Sequence, residues 1–289
     1  MTKQQKGYLL AFAGVVIFGL TLPFTRIAVA ELPAVFVGLG RALVAAMLAG
    51  VMLTVTRSPR PQRADIFKLL LAGFGIVIGF PLFSAIAMES APASHGAVVL
   101  GILPLGTAAA AIVFAGEKPS LKFWAWAMAG SIAVVIFALL NGGGGGDGSL
   151  YGADLWLLAS IVAAAIGYAI SGDLTRRLGG WQVISWCLLI TAPVIAMPVA
   201  WSLPDVNLNA SASAWFAFGY VAVFSQFLGF FFWNNGMAMA GVAKAGQVQL
   251  LQIFVTLVGS WFLLGEPITL TLGGFALVVA FCVWMGRKA

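Results

Sequence analysis

The sequence predicts an all-α integral membrane protein with ten transmembrane helices, arranged as two inverted five-helix repeats. Three observations carry that prediction. Of 289 residues 62% are hydrophobic and 8% charged, with a mean hydropathy of +1.04, whereas a soluble chain of this size needs far more polar surface. The apolar residues gather in continuous runs about as long as the roughly 20 residues that a helix needs to cross a bilayer core. Continuous rather than alternating apolarity favours helices over a barrel. Finally, residues 87–117 lie without gaps over residues 236–266, 149 positions later. That register pairs Met88 with Met237, Ala91 with Ala240, Val99 with Val248, and Gly116-Glu117 with Gly265-Glu266. It also pairs His95, the only histidine, with Lys244. Duplication within a polytopic chain is a mark of transporters, because two related halves can rock about a site between them.

The spans follow in order. Span one, 8–30, comes after Lys3 and Lys6 and so imitates a signal peptide, but Thr21, Pro23, Thr25 and Arg26 interrupt it and no good small-residue cleavage site follows. A retained first helix is expected. Span two, 33–56, is joined to it by the short turn Glu31-Leu32 and carries Arg41. Span three, 67–88, contains Ser84 shortly after Pro81, and span four, 93–115, opens near His95 and closes at Gly116-Glu117. Span five, 123–140, runs into Asn-Gly-Gly-Gly-Gly-Gly-Asp-Gly at 141–148, a composition that packs no core and reads as a flexible external linker. The first repeat is therefore 1–140, the linker 141–151 and the second repeat 152–289. Span six, 152–172, holds Ser160, Tyr168 and Ser171; span seven is 181–203; span eight, 214–239, holds Gln226, Trp233, Asn234 and Asn235. Span nine, 243–264, is the most polar, with Lys244, Gln247, Gln249 and Gln252, and span ten is 268–286.

Basic residues set the orientation. With the N-terminus inside, Lys3, Lys6, Arg57, Arg60, Arg63, Lys68, Lys118, Lys122, Arg176, Arg177, Lys244, Arg287 and Lys288 all fall on the cytoplasmic side, leaving only Arg26 and Arg41 of the 15 Lys and Arg. Both termini are expected in the cytoplasm of an inner-membrane protein. The same bias explains the net charge of +6, so no nucleic-acid partner is needed. Membrane lipid is the expected surface partner and the monomer the expected state. Five spans per half is an odd number, which makes the second half enter the membrane from the opposite face, with Glu117 inside and Glu266 outside.

Composition also limits the chemistry. Cys187 and Cys282 lie inside spans as apolar fillers. One histidine and no clustered carboxylates leave no ordinary metal site, and no phosphate-binding glycine loop is present. No cofactor and no enzymatic activity are expected, since no nucleophile and base stand at catalytic spacing.

The run from Phe18 to Leu48, with Arg41 in the second span, and the two Gly-Glu endings at Gly116-Glu117 and Gly265-Glu266 resemble an EamA domain of the drug/metabolite transporter superfamily. The resemblance covers nearly the whole chain, and the branch it resembles most is that of aromatic amino acid exporters, in which a histidine early in the fourth span lines the cavity. His95 occupies that place. The resemblance implies an exporter with a central cavity lined mainly by spans 1, 3, 4, 6, 8 and 9.

Polar side chains at lipid depth point to the same helices, because they are costly unless they face protein or water. The expected substrate-binding residues are Thr21, Ser84, His95, Tyr168, Gln226, Trp233, Lys244, Gln247 and Gln252. At 100° per residue Lys244, Gln247 and Gln252 share an arc of about 140° that should face the cavity. The glutamines can equally serve as interhelical glue, and His95 and Lys244 can cap or snorkel. Glu117 and Glu266 are expected to stabilise the N-termini of the helices that follow them. Arg41 is expected to satisfy backbone carbonyls or to pair with Glu31 or Glu89. Trp124, Trp126, Trp156, Trp181, Trp201, Trp215, Trp261 and Trp284, near span ends, read as interfacial anchors, while Trp233 is the stacking candidate. The function this suggests is export of neutral or aromatic amino acids by alternating access. A broad-specificity drug extruder is the alternative, and a lipid scramblase or membrane-embedded enzyme ranks behind both. Glu89, Asp154 and Asp173 sit near span ends, which leaves ion coupling open.

Overall fold

The computed structural model describes residues 1–116, 120–141, 152–249 and 251–288; the side chains of some helical residues inside these limits, Lys244 and Gln247 among them, lie outside the description. The glycine run from residue 142 and Glu117 also lie outside the described residues. Among the described residues the chain is helical and contains no strand. Helices α1 (Lys3–Val29), α2 (Phe36–Val55), α3 (Arg63–Met88) and α4 (Ala93–Phe114) precede α5 (Leu121–Asn141). Then come α6 (Gly152–Leu178), α7 (Gly180–Asp205), α8 (Ala212–Ala240), α9 (Val242–Val248), α10 (Leu251–Leu264) and α11 (Leu270–Lys288). Among the described residues seven helices, α1 to α4 and α6 to α8, are long and apolar enough to cross a membrane; α10 and Leu270–Cys282 of α11 are shorter apolar helices. The outer surface is apolar as well, with Val113, Trp201, Phe216 and Phe262 each at least two-thirds exposed, as a protein immersed in hydrocarbon requires.

Span nine departs from expectation. Its described part is two helices, α9 and α10, rather than one; the side chains of Lys244 and Gln247, two of the three on the predicted arc, lie outside the described residues. Helix α6 runs further than predicted, to Leu178, placing Arg176 and Arg177 in its last turn, where the helix dipole favours cations.

Local irregularities recur at the spacing of the sequence repeat. Wide π-helical turns occupy Phe74–Gly79 in α3 and Val221–Leu228 in α8, which overlap after a shift of 149 residues. Gly116 and Gly265, also 149 apart, both have φ +67, the left-handed conformation that ends a helix and favours glycine. In α1 the helix breaks at Leu20. Pro23 has no N–H to return to the Gly19 carbonyl, and the Thr256 hydroxyl of α10 supplies the missing donor at 2.7 Å.

Close helix approach depends on small residues. A Cβ at Gly236 of α8 would lie 2.7 Å from the Ala11 nitrogen of α1, and one at Gly75 of α3 would lie 2.3 Å from the Ala163 carbonyl of α6. Without a hydrophobic effect between helices in lipid, such backbone contact is what packs them. Polar ties close both ends of the bundle. At the end that carries the basic loops, Lys68–Asp173 (3.1 Å) and Arg177–Asp65 (2.7 Å) fasten α3 to α6. At the opposite end Glu31 accepts from the Ser211 hydroxyl and N–H, which holds its carboxyl below the usual value. There too Glu266 accepts from the N–H groups of Ala93 (2.9 Å) and Ser94 (2.8 Å). Glu266 thus caps the start of α4, from the other repeat, and not the helix that follows it; Thr269 takes that place, receiving the N–H of Leu272.

Candidate functional site

Two helices are interrupted at matching positions. In α4 the α-helix stops at Val99, passes through a 3-10 turn at Leu100–Ile102 and resumes at Leu103, helped by Pro104, which cannot donate to the Leu100 carbonyl. The break between α9 and α10 falls at the equivalent place, with Gln249 standing 149 residues after Leu100. Both breaks meet at one central cavity of about 10 Å³, lined by Leu22, Ala97, Leu100, Leu103, Gln249, Gln252, Ile253 and Thr256. That volume holds about one water molecule. Discontinuous helices at corresponding places in two halves are the usual sign of a carrier's binding site, since unwound backbone and helix ends present polar groups at the midplane. Neither break was read from the sequence; Pro104 is a local signal for the first, and the second has none, since Ile253 stands at the equivalent position.

Several buried polar atoms without partners lie at this cavity and beside it. Both ends of the Gln249 amide, Oε1 of Gln252, Nε1 of Trp233 and Nη1 of Arg41 are buried with no hydrogen-bond partner among the described residues. Each such group costs about 1–3 kcal/mol, more if charged, so this many together mark a place that a solute or water completes. Arg41 is 2% exposed and lies among them as a fixed cation. Its Nε donates to Oε1 of Gln226 at 3.0 Å, and Nε2 of Gln226 donates to the Ile76 carbonyl at 3.1 Å, inside the wide turn of α3. The expected pairing of Arg41 with Glu31 or Glu89 does not occur: Glu31 is taken by Ser211, and the three ion pairs among the described residues do not include Arg41. The Tyr168 phenol is its electrostatic neighbour and lies beside the Gln249 amide, though no hydrogen bond of good geometry joins those two.

Aromatic rings form the adjoining wall. Trp233, fully buried, stands 5.4 Å from Tyr168 and 6.2 Å from Phe18, and Phe230 completes the cluster at 5.0 Å from Phe18. The predicted site residues therefore divide. Tyr168, Trp233 and Gln252 come together with Gln249, which the sequence offered as either interhelical glue or a substrate contact, and with Arg41, which it read as structural. Gln226 is bound at both ends within the protein, Thr21 is paired with Ser225 at 2.8 Å, and Ser84 donates to the Pro81 carbonyl of its own helix. The side chains of Lys244 and Gln247 lie outside the described residues. His95 lies in a separate cavity of about 270 Å³ at the end away from the basic loops, its Nε2 2.7 Å from Oδ1 of Asp154. Asp154, read from the sequence as a span-end residue, is 1% exposed.

The sequence profile of the EamA-like transporter family matches residues 5–139 and 152–286. The chain belongs to this family. Among its relatives is an uncharacterised transporter, YdeK, of Bacillus subtilis (strain 168), 40% identical over 288 residues that cover 100% of this chain and 99% of the relative. A probable terminal-alkyne amino-acid exporter of Streptantibioticus cattleyicolor is 25% identical over 268 residues, covering 89% of this chain and 88% of its own. A solved crystal structure with 18% identity superposes with a TM-score of 0.70 over 98% of this chain and 96% of its own, a likeness of fold alone.

As an EamA protein the chain is a multi-pass membrane transporter. Its two family matches fall on either side of the glycine run, and each contains one of the broken helices, α4 in the first and α9–α10 in the second.

Proposed function

We propose that this EamA protein is a secondary carrier that exports small carboxylate-bearing metabolites, neutral and aromatic amino acids first among them. Transport proceeds by alternating access between two inverted five-helix halves, 1–140 and 152–289. The protein sits in the inner membrane with both termini and the basic loops in the cytoplasm, so that Glu266 and His95 stand at the external end.

The observation that carries this reading is Arg41. A guanidinium at membrane depth with one edge clamped by Gln226 and Nη1 unpartnered needs an anion, and the carboxylate of the solute supplies it. The rings of Phe18, Tyr168, Phe230 and Trp233 offer stacking surface for the rest of the molecule. A relative named as a probable amino-acid exporter supports the same substrate class.

Uptake of labelled amino acids into proteoliposomes of the purified protein tests this. Phenylalanine and tryptophan are expected to exchange, and Trp233→Ala should lower their transport more than that of alanine, since ring stacking contributes about 0.5–1.5 kcal/mol. A panel in which no amino acid exchanges ends the reading. A second reading, extrusion of lipophilic compounds, is favoured by a wholly apolar groove of about 540 Å³ between α1 and α10, walled by Leu20, Phe24, Phe254 and Phe262. It predicts that lipophilic cations, not amino acids, compete for transport.

A further inference from the structure

We infer that the His95–Asp154 pair is a proton-binding site that couples export to the proton gradient. This rests on the transport reading above. His95 and Asp154 belong to different halves of the chain, their side chains 6% and 2% exposed, with Nε2 and Oδ1 2.7 Å apart. The Phe137 ring covers the imidazole at 5.3 Å, and Oδ2 of Asp154 is buried without a partner. Pairs of this kind cost several kcal/mol of desolvation that apolar packing would avoid, and ionisable groups inside membrane proteins are by default functional.

Position turns the pair into a coupling device. Both Ser94 and His95 line the 270 Å³ cavity, while Ala97, on the same seven-residue segment Ala93–Val99, lines the central cavity. The segment is held at its start by Glu266 and ends at the 3-10 turn Leu100–Ile102. Whatever changes the charge at His95 acts on the helix piece that walls the substrate site.

With a neutral imidazole the pair carries a net charge of −1, and with an imidazolium it is neutral. A proton taken from water on the external side removes the net charge, lowers the cost of burying the pair and permits the closed form; the same proton returns to water on the cytoplasmic side. Other charges around the pair are committed elsewhere. Glu266 serves the two N–H groups, Arg26 donates to the Met88 carbonyl, and Glu89 is exposed at the end of α3. The charged side chains of α3 and α6 other than these lie at the opposite ends of their helices, Lys122 of α5 is exposed at the start of that helix, and α10 has none.

Because His95 is the only histidine, selective labelling reads this pair directly. In purified, reconstituted protein the single imidazole resonance should change as protons are supplied and differ in Asp154→Asn. In vesicles loaded with a pH dye, phenylalanine added to wild type should move protons. An imposed gradient should raise accumulation about tenfold over equal pH. His95→Gln and Asp154→Asn should lose both effects while keeping exchange at equal pH within about twofold, and Asp154→Glu should recover part of the coupling. Gradient-driven accumulation that survives in His95→Gln would overturn the proposal, as would a wild type that exchanges without moving protons. If wild type exchanges no amino acid, the substrate reading fails on its own. The site is then judged by the imidazole: one that does not titrate, or ignores Asp154→Asn, sinks it, and one that titrates and shifts supports it.

Discussion

Arg41 donates from Nε to Oε1 of Gln226 at 3.0 Å across 185 residues of sequence, and through that one amide the guanidinium is fixed to the wide turns of both α3 and α8. The clamp leaves Nη1 as the unsatisfied edge. Hydrogen bonds to charged groups contribute about 1.5–3 kcal/mol, so Arg41→Gln should weaken amino-acid binding to the purified protein about ten- to a hundredfold. The matching amines without a carboxylate should bind wild type and variant alike. Arg41→Lys should not restore affinity, because an ammonium cannot keep the Gln226 contact and present a second edge at once. Equal loss for acids and amines would make Arg41 a packing group.

Glu266 joins the halves through backbone, which makes a second prediction. Its carboxylate takes the first two N–H groups of α4, a charge-assisted cap whose removal costs about 1 kcal/mol. In Glu266→Gln, hydrogen exchange of the Ala93 and Ser94 amides should rise roughly fivefold, with α3 and α6 unchanged. Unchanged exchange at those two amides would mean that the helix start is held by something else.

Much of this was legible in sequence, and the remainder was illegible for specific reasons. Apolar run length located the long helices, because the bilayer fixes it, though α6 continues to Leu178 and span nine is two helices. The repeat register foretold paired features such as Gly116 and Gly265. Trp233 stood out as a large aromatic among polar residues, and it is fully buried in the aromatic cluster. What failed was partner choice. Nothing local to Glu266 shows that the N-terminus it caps lies 173 residues away instead of next in the chain. Asp154 looked peripheral because it opens its helix, yet the neighbouring helices cover it. The break at Gln249 carries no proline, so the helical periodicity read from the sequence ran straight through it.

The inversion proposed for the two halves makes a third prediction. Lys118 and Thr269 follow the paired Gly-Glu endings closely, so single cysteines there, in a background with Cys187 and Cys282 replaced, should react with an impermeant reagent from opposite faces of the membrane. Reaction from one face would leave a duplication without inversion.

The last prediction isolates the bend in α1. Pro23 deprives the Gly19 carbonyl of its helical donor, and Thr256 replaces it at 2.7 Å while also bonding the Gln252 carbonyl at 2.9 Å. Thr256→Val keeps the shape and removes the donor, so leaving the carbonyl of buried Gly19 without it should cost about 1–3 kcal/mol of stability. Pro23→Ala returns an N–H to that carbonyl. If the two devices serve the same oxygen, Thr256→Val should be far milder in the Pro23→Ala background, and the double-mutant cycle read by thermal unfolding should give a coupling of about 1 kcal/mol or more. Additive losses would show that Thr256 matters for its contact with Gln252 instead. Because Thr256 also lines the central cavity, transport by Pro23→Ala separates the two uses: a straightened α1 should slow exchange even where stability is unchanged, since the bend places Leu22 in the cavity wall.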